Sequence, residues 1–469
     1  MYVSSVTRSF SDCKELHEEC GVVGFYGVEG AVSHAFLALQ SIQHRGQQGC
    51  GIAAVRPDGK IVVHKGAGLV RDTFGRKDIE ALPGSACIGH VRYPTTEVGG
   101  HENIQPFLFA RQEAPYALAH NGNIVNASQV KEYLEKQGHL FSSTSDSELF
   151  GYLVGSSLQG DNWEKTIART TLLLDGAYAT VILTKDKLFA CRDKFGFRPL
   201  SLAKMGSGYM VASETCAFES VGAQYIRDVE PGELLTIDAQ GVHSTRIARA
   251  AHHYMCAMEY IYFARPDSVI EGCSVHAFRR RSGALLCAEH PAPADLVTCV
   301  PESSMSAAIG FAEAAGLPLE MGLIKNTYVA RTFIQPTQSM RDTGVKMKLS
   351  AVPSVVRGKR VAVIDDSIVR GTTSSVIVRM LREAGATQVH MRIASPPYAW
   401  PCFYGIDTGS EDQLLASGRN IEDIRDYIGA DSVEYLSVGA LFQASDRTEL
   451  CTACFDGNYP TDLYKEINK

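Results

Sequence analysis

The chain has 469 residues and a formal net charge of −7, from 45 Lys and Arg against 52 Asp and Glu. At roughly 150 residues per domain, that length suits two to four domains. The mildly acidic balance argues against nonspecific binding to nucleic acid or to an anionic membrane. No stretch approaches the roughly 18 consecutive apolar residues of a membrane-spanning helix.

The 13 cysteines are spread over the whole chain, and their number is odd. The first nineteen residues lack the apolar core of a secretory signal and end in Glu18 and Glu19. A disulfide framework is therefore not expected, and we predict a cytoplasmic protein with reduced thiols. In such a protein a cysteine is a small buried residue, a reagent or a metal ligand.

Short apolar runs broken by Gly, Asn and Asp fill the first half of the chain and predict a strand-rich α+β domain. Helical patterns cover 35–43 and 129–136. A third helix is predicted to open at Ser145, which forms an S-x-x-E capping pattern with Glu148. We place the end of this domain near Ala250.

The second half changes to an alternation of strand, helix and strand. After the run RVAVID, apolar residues recur at the spacing of one helix face at Ile377, Met380, Leu381 and Ala384. Gly385 then ends the helix, and VHMRIAS is the next strand. Such a βαβ unit indicates a parallel sheet.

The stretch VAVIDDSIVRGTTSS joins a buried strand, two carboxylates at its C-terminal end and a Gly, Thr and Ser loop that opens the next helix. Ligands bind at this end of parallel strands, and the amides of a helix N-terminus can hold a phosphate. Asp365 and Asp366 are then placed to bind ribose hydroxyls or Mg²⁺. On this pattern alone, an aspartate pair that merely caps a strand is the alternative.

A basic segment precedes this motif and contains a single acid, Asp342, among five cations: Lys325, Arg331, Arg341, Lys346 and Lys348. Such local basicity in an acidic chain suits a loop that closes over a pyrophosphate. A solvated basic face is the alternative.

Cys20 stands immediately before the apolar run GVVGFYG, where a thiol is ordinarily a small hydrophobic residue. If residues 1–19 are removed, Cys20 gains a free α-amine with a pKa of about 7.7 to 8.0, which can act as general base for its own thiol. One residue would then supply both nucleophile and base.

Amide hydrolysis also needs oxyanion donors and anchors for both ends of the substrate. Suitable groups occur in HNGN (Asn121 and the Gly122 amide), in GHVRY (Arg92) and in SDSE (Asp146). Each has a plainer alternative, namely a hairpin turn at Asn-Gly, a surface charge at Arg92 and a helix N-terminal carboxylate at Asp146.

Cys451 and Cys454 have the C-x-x-C spacing that lets two thiolates share one metal or cluster. A redox pair is the rival interpretation, and Cys256 and Cys402 are by default buried residues. Spacing does not separate zinc from iron and sulfur.

Several of these motifs resemble known families. The series ECGVVGFYG, HRGQQGCGIA, GHVRYPTTE, HNGNIVN, SDSE, DGAYA and RDKFGFRPL is similar, in order and spacing, to the N-terminal-nucleophile glutaminase domain. VAVIDDSIVRGTTSS resembles the phosphoribosyl pyrophosphate (PRPP) signature of the phosphoribosyltransferases. KNTYVARTFIQP resembles the flexible PRPP loop of the glutamine PRPP amidotransferase (amidophosphoribosyltransferase) family, and the likeness to that family runs from about Glu19 to Tyr464.

The resemblance implies a propeptide at 1–19, an N-terminal-nucleophile glutaminase αββα sandwich at 20–250, and a phosphoribosyltransferase-type parallel α/β domain with a C-terminal cluster-binding segment at 251–469. It implies an enzyme that hydrolyses glutamine and transfers the ammonia to C1 of PRPP. The products would be glutamate, pyrophosphate and 5-phosphoribosylamine, in the first committed step of purine synthesis. Mg²⁺, inhibition by purine nucleotides and a homotetramer are implied with it.

Carried over residue by residue, the resemblance makes Cys20 the nucleophile and Asn121 with Gly122 the oxyanion hole. Glutamine would be held by Arg45, Arg92 and Asp146. PRPP would be held by Ser303, Lys325, Arg331, Asp365, Asp366, Arg370, Gly371, Thr372, Thr373 and Ser374.

The same resemblance assigns two metal sites. Mg²⁺ would be bound by Ser303, Asp365 and Asp366. In the iron–sulfur, propeptide-bearing branch of the family, a [4Fe-4S] cluster of structural role would be bound by Cys256, Cys402, Cys451 and Cys454.

Four positions depart from the family pattern. Thr327 and Ala330 stand in the PRPP loop where Arg and Gly are usual, which bears on PRPP affinity and on loop closure. Cys50 replaces a small Ala or Gly and is expected to fill volume, and Glu97 replaces a Gly near the glutamine pocket. Of the remaining cysteines, Cys13 falls in the leader, and core positions are expected for Cys50, Cys87 and Cys299.

Two rival functions compete with this one. A sugar-phosphate amidotransferase shares the first domain but has no PRPP motif, so 361–375 argues against it. A non-catalytic PRPP-sensing regulator would have no use for the glutaminase residues Cys20, Arg92, Asn121 and Asp146.

Overall fold

The structure is a computed structural model that describes residues 20–93, 100–110, 114–157, 162–326, 348–408 and 410–461. Its contacts divide the chain into two compact units. The N-terminal unit runs to Phe278 and also takes in Pro401–Asp407 and the residues from Ser445 onward, whereas the C-terminal unit comprises Arg279–Trp400 and Thr408–Ala444. The domain boundary expected near Ala250 stays a prediction, while this division by contacts falls after Phe278. No helix in the described ranges is long and apolar enough to cross a bilayer.

Two antiparallel sheets form the centre of the N-terminal unit. The first has seven strands in the order Gln224–Asp228, Ser201–Met205, Gly208–Ala212, Gly21–Tyr26, Ala86–Arg92, Gly49–Val55 and Ile61–Ala67. The second has six, in the order Gly241–Arg246, Glu233–Asp238, Leu188–Arg192, Gly176–Leu183, Tyr116–Ile124 and Phe107–Phe109. A small hairpin pairs Val269–Ile270 with Cys273–Ser274.

Helices cover the outer faces of both sheets. An apolar core between the sheets includes Val22, Ile88 and Val181. A second core packs the helices Ala31–Ser41 and Cys216–Val221 on the first sheet, and a third packs Ala127–Lys136, Asp146–Ser157 and Trp163–Leu172 on the other. The layers are thus helix, sheet, sheet and helix, as expected. Because both faces of each sheet are covered, the central strands are continuous apolar runs without alternation.

Shorter elements complete the N-terminal unit. They are the helices Val70–Thr73, Arg76–Glu80 and Ala453–Asp456, the 3₁₀ turns Gln43–Arg45 and His101–Asn103, and the π-helical turn Glu259–Phe263. The helix Val275–Glu289 begins in this unit and ends in the other.

The C-terminal unit is built on a four-stranded parallel sheet in the order Leu296–Cys299, Arg360–Asp365, Gln388–Ile393 and Ser432–Tyr435. Its helices are Met305–Ala315, Pro353–Val356, Thr372–Glu383 and Ile421–Ile428, with a 3₁₀ turn at Glu411–Gln413 and the helix Val438–Ser445 at its end. A two-stranded ribbon pairs Leu323–Lys325 with Leu349–Ala351. The predicted βαβ unit is confirmed, and Gly385 follows the helix with φ +101°.

The predicted N-terminal helices are present with shifted bounds and one different cap. The helix predicted at 35–43 spans Ala31–Ser41, and the helix predicted at 129–136 spans Ala127–Lys136. The capping box of Ser145 and Glu148 does not form. Instead, the Glu148 carboxylate accepts hydrogen bonds from Ser142 and Ser143 at 2.6 to 3.0 Å. Two consecutive serines upstream offer four N–H and O–H donors, more than the single N–H that a capping box would use.

Candidate active site

Cys20 leads directly into the central strand Gly21–Tyr26 of the first sheet. Its Sγ donates to the carbonyl of Tyr93 at 3.4 Å, just beyond the end of the neighbouring strand Ala86–Arg92. Arg92, on that strand, lies near enough for its charge to interact with the Cys20 thiol. Burial lowers the pKa of Arg92, against the raising effects of Cys20 and Glu102. A cation therefore lies near the expected nucleophile, as an anchor for a carboxylate requires.

Arg45 is buried behind Cys20. Its Nε donates to the Cys20 carbonyl at 3.3 Å, and its Nη atoms are bound at 2.6 Å by carboxylate oxygens of Glu214 and Glu259. Burial alone would raise the pKa of Glu214, but His44 and Arg45 lower it strongly. Arg45 thus supports the nucleophile segment from inside the protein.

Asn121 and Gly122 lie in the middle of the strand Tyr116–Ile124, so the hairpin-turn alternative for Asn-Gly is wrong. Asn121 is 1% exposed, and neither polar atom of its side chain has a hydrogen-bond partner in the described part of the chain. Gly122 has φ +143°, and a Cβ there would stand 2.0 Å from the carbonyl oxygen of Ala177. A buried amide without a partner is costly, so its presence at this point favours a site that accepts a ligand oxygen.

Asp146 opens the helix Asp146–Ser157, as the plainer interpretation expects, and also makes contacts beyond it. Its Oδ2 accepts from the N–H of Ile124 at 2.8 Å, and its Oδ1 lies 3.7 Å from Nδ1 of His120. Burial alone would raise the pKa of Asp146, but the interactions with His120, Ile124 and Ser147 lower it overall. Asp146 is therefore an anion next to the strand that carries Asn121, suited to hold an ammonium group.

Two histidines that the sequence did not single out support this strand. His120 Nδ1 lies 3.0 Å from the Ser147 hydroxyl, and the His120 carbonyl accepts from His90 Nε2 at 3.2 Å. Burial lowers the pKa of His90 to about 3, so His90 is neutral at pH 7. His120 precedes Asn121 in HNGN, but its partners are distant in sequence and no local pattern identifies them.

In the C-terminal unit, Asp365 ends the second strand of the parallel sheet and Asp366 follows it. Each of the two residues is 7% exposed. The Ser304 hydroxyl lies 3.3 Å from an Asp365 oxygen and 3.4 Å from an Asp366 oxygen. Burial raises the pKa of Asp366, against hydrogen bonds from Ser303, Ser367 and Ser304. Ser304 was not among the residues expected here. Of the two adjacent serines, the sequence singled out only Ser303.

The loop after Asp366 leads into the helix Thr372–Glu383. Gly371 precedes this helix with φ +76°, and a Cβ there would stand 2.4 Å from Cδ2 of Leu415. Arg370 donates to Oε1 of Gln413 at 2.8 Å. With Thr372, Thr373 and Ser374 in the first turn, N–H and hydroxyl donors lie together at a helix N-terminus, the arrangement that binds a phosphate.

Lys325 lies at the end of the strand Leu323–Lys325, where the ribbon leads into the basic segment. Its Nζ is 3.7 Å from a carboxylate oxygen of Glu302, which immediately precedes Ser303. Lys325 is thereby placed at the loop of the predicted magnesium site. Arg331, Thr327, Ala330 and Glu97 lie outside the described residues, as do the predicted propeptide and Cys13.

The four predicted cluster cysteines are brought together in the N-terminal unit. One small cavity is lined by all four of them, Cys256, Cys402, Cys451 and Cys454, together with Phe197, Tyr404 and Tyr459. Cys256 and Cys451 also form a parallel β-bridge. Burial raises the pKa of the Cys451 thiol to about 12.

Within the described ranges, no group of three or more His, Cys, Asp or Glu side chains has the geometry of a site for a single metal ion. A single zinc ion needs all its sulfurs at about 2.3 Å from one point. A four-iron cluster instead takes its thiolates around a larger body, which suits four cysteines on the wall of one cavity. Four thiols around one cavity are thus a donor set of the kind that a four-iron cluster takes.

None of the twelve described cysteines is in a disulfide bond. Cys50, Cys87 and Cys299 are buried in cores, as expected. Cys50 packs beneath the first sheet, where burial raises its pKa to about 11. Its thiol is thus a volume-filling group.

Comparison with known proteins gives close relatives. A family model described as a glutamine amidotransferase domain matches residues 90–220. The amidophosphoribosyltransferase of Bacillus subtilis strain 168 is 51% identical, over 97% of each chain, and that of Methanothermobacter thermautotrophicus is 45% identical, also over 97% of each. The solved B. subtilis glutamine PRPP amidotransferase, complexed with ADP and GMP, superposes with a TM-score of 0.90 at 50% identity, covering 95% of this chain and 98% of that one.

Proposed function

Because the chain belongs to the amidophosphoribosyltransferase family, it is an enzyme, and we propose that it makes 5-phosphoribosylamine from PRPP with ammonia taken from glutamine. The observation that carries the glutamine half is the buried side-chain amide of Asn121. It stands next to Gly122, where any side chain would clash with the paired strand. A regulator that only senses PRPP has no use for such a group.

In the glutamine half, removal of residues 1–19 frees the α-amine of Cys20, which takes the proton from its own thiol. The thiolate attacks the side-chain amide carbon of glutamine, and Asn121 with the Gly122 N–H donates to the oxygen that becomes negative. Arg92 holds the substrate carboxylate and Asp146 its ammonium. Ammonia leaves, and water hydrolyses the thioester to glutamate.

In the PRPP half, the 5′-phosphate lies on the N-terminal turn of Thr372–Glu383, held with Arg370 and Gly371. Asp365 and Asp366 bind the ribose hydroxyls and, with Ser303, would hold Mg²⁺. The metal supplies charge neutralisation for the departing pyrophosphate. Lys325 and Arg331 belong to the basic loop on the pyrophosphate side, and ammonia attacks C1.

A [4Fe-4S] cluster of structural role would be held by Cys256, Cys402, Cys451 and Cys454. Its support is the shared cavity of the four thiols in the N-terminal unit. We further propose a cytoplasmic homotetramer that purine nucleotides inhibit. The inhibition is supported by a structural relative at 50% identity that is described as complexed with ADP and GMP.

The test compares two nitrogen donors. Anaerobically purified protein is given PRPP and Mg²⁺ with either glutamine or ammonium, and glutamate and pyrophosphate are measured. Asp365→Asn should lower pyrophosphate release with both donors, because PRPP binding is shared. Asp238→Asn, at the half-buried end of a strand in the N-terminal unit and outside every proposed site, is the control. Equal loss with Asp238→Asn, or full activity of Asp365→Asn, would refute the assignment.

A further inference from the structure

A buried ion network lies behind Cys20 in the N-terminal unit. Its members are Arg45, Glu214, Glu259 and Arg198, each at most 1% exposed. Arg45 pairs with both carboxylates at 2.6 Å, and Arg198 lies 3.5 Å from the Glu259 oxygen that Arg45 also binds. Neutralising Glu259 therefore removes a buried carboxylate that both arginines contact, which leaves excess positive charge inside the protein.

The two ends of this network reach different segments. At one end, Arg45 donates to the Cys20 carbonyl at 3.3 Å. At the other, Arg198 Nε donates to the Tyr404 carbonyl at 3.1 Å, and its Nη2 donates to the same oxygen. The Tyr404 N–H points at Sγ of Cys402 at 3.3 Å, and the Glu259 N–H donates to the Cys256 carbonyl at 3.2 Å. Hydrogen bonds thus connect Cys20 to two segments that carry candidate cluster cysteines.

We propose that Glu259 and Arg198 are positioning residues for Cys20, and that they tie its order to the segments carrying Cys256 and Cys402. The proposal rests on the proposed role of Cys20 as an N-terminal nucleophile. Once residues 1–19 are gone, Cys20 is attached to the chain only through its carbonyl. The hydrogen bond from Arg45 to that carbonyl then restrains the rotation that places thiol and α-amine, and Glu259 and Arg198 hold Arg45 in place.

A purely structural network predicts something different. Loss of stability alone would lower glutamine-dependent and ammonium-dependent turnover together. A positioning network affects only the glutamine half. In addition, Glu259→Gln leaves an excess positive charge near Cys20. The other charged groups in this region are Arg92, which interacts with the Cys20 thiol, and His44, which pairs with Glu214. Positive charge disfavours an ammonium and favours a thiolate, so the reactivity of Cys20 should shift to lower pH.

The experiment uses the full chain, purified anaerobically, with removal of residues 1–19 checked by mass. Steady-state constants are measured with glutamine and with ammonium, and Cys20 alkylation by iodoacetamide is followed against pH. Glu259→Gln should lower kcat with glutamine roughly 10- to 100-fold while KM and the ammonium rate change by about twofold at most. Its alkylation profile should shift to lower pH.

Two further variants keep the test decisive. Arg198→Lys retains the charge but loses the paired contact with Tyr404, so it should lower kcat with glutamine without moving the alkylation profile; it carries the test if Glu259→Gln does not fold. Glu233→Gln is the matched control, because that buried carboxylate pairs with Arg227 at 2.7 Å elsewhere in the unit, and its kinetics should be unchanged.

The outcomes distinguish failure of the positioning role from failure of the proposed function. Parallel loss with both donors, or a glutamine kcat in Glu259→Gln and Arg198→Lys equal to wild type, would overturn the positioning role. Persistent glutamate release by Cys20→Ala would instead overturn the proposed function itself.

Discussion

The Nε atom of Arg45 lies 3.3 Å from the main-chain carbonyl oxygen of Cys20 and donates a hydrogen bond to it. Both Nη atoms of the same guanidinium are bound by buried carboxylates, so its charge is directed into the protein. This places Arg45 beneath the nucleophile segment. The substrate-facing groups of the glutamine site are then Arg92 and Asp146, which lie at the end of one strand and the start of one helix.

Asp146→Asn should raise KM for glutamine roughly 10- to 100-fold, because a hydrogen bond to a charged group contributes about 1.5 to 3 kcal/mol. The ammonium-dependent rate should not change. The measurement is steady-state glutamate release at saturating PRPP. Glu164→Gln is the control, since Glu164 also stands in the first turn of a helix but pairs with Lys187 at 2.7 Å. An unchanged KM in Asp146→Asn would exclude a role in holding glutamine.

Gly122→Ala should abolish glutamine-dependent activity and destabilise the N-terminal unit. The new Cβ would meet the Ala177 carbonyl at 2.0 Å, a backbone atom of the paired strand that cannot move independently. Gly241→Ala is the control, because Gly241 has φ +119° but no atom within 4 Å of its Cβ position. Thermal unfolding should show a cost about 1 to 3 kcal/mol larger at Gly122 than at Gly241. Equal costs would mean that backbone conformation alone, and no clash, requires glycine there.

Acid should weaken the N-terminal unit through Glu271. Its carboxylate lies 2.6 Å from Arg192, 2.6 Å from Arg447 and 3.0 Å from His253. Burial alone would raise the pKa of Glu271, but these groups lower it from 4.5 to about 2. Because the folded-state pKa is depressed, the ion pairs stabilise the fold above the unfolded pKa, and about 3 kcal/mol is lost as pH falls from about 4.5 to about 2.

Urea unfolding followed by Trp163 fluorescence, in a Trp400→Phe background, measures this contribution. The urea concentration at the unfolding midpoint should decrease as the pH is lowered from 5 to 3 in the protein with Glu271 intact. Glu271→Gln should have a lower midpoint at pH 7 and a flatter profile over the same range. A wild-type slope retained by Glu271→Gln would assign the acid sensitivity to other carboxylates.

Cys454→Ser should lower iron and sulfide content and the visible absorbance of anaerobically purified protein, because one thiolate of the proposed cluster is lost. Cys273→Ser is the control: that cysteine is half-buried in a small hairpin and belongs to no proposed site. Zinc in place of iron and sulfide in the wild-type protein would refute the cluster assignment.

Apolar runs bounded by glycine predicted the strand-rich first half and the parallel sheet of the second, whereas the sandwich of two sheets between helices was expected from the family resemblance. The sequence misplaced a local detail that depends on competing donors. The carboxylate of Glu148 binds Ser142 and Ser143 in place of the Ser145 N–H. The strand through Asn121 and Gly122 excludes the hairpin turn, which was the alternative to the predicted oxyanion hole. Both outcomes follow from partners that local patterns do not identify.

Site residues inside contiguous motifs were predictable, whereas those that act through distant contacts were not. Asp365 and Asp366 stand together in one run, but Ser304 meets them from more than sixty residues away. Glu214 and Glu259 lie outside every motif assigned to the glutamine site and reach Cys20 only through Arg45. Such long-range ion pairs leave no periodic or compositional signal in a single sequence.

The central claim is that two chemistries occur at separate sites and that Cys20 serves only one of them. The most direct measurement is pyrophosphate release by Cys20→Ala with PRPP and Mg²⁺, using glutamine and then ammonium as the nitrogen donor. Cys20→Ala should show no turnover with glutamine and a rate close to wild type with ammonium. Glutamine-dependent turnover by Cys20→Ala, or loss of both activities in a folded protein, would contradict it.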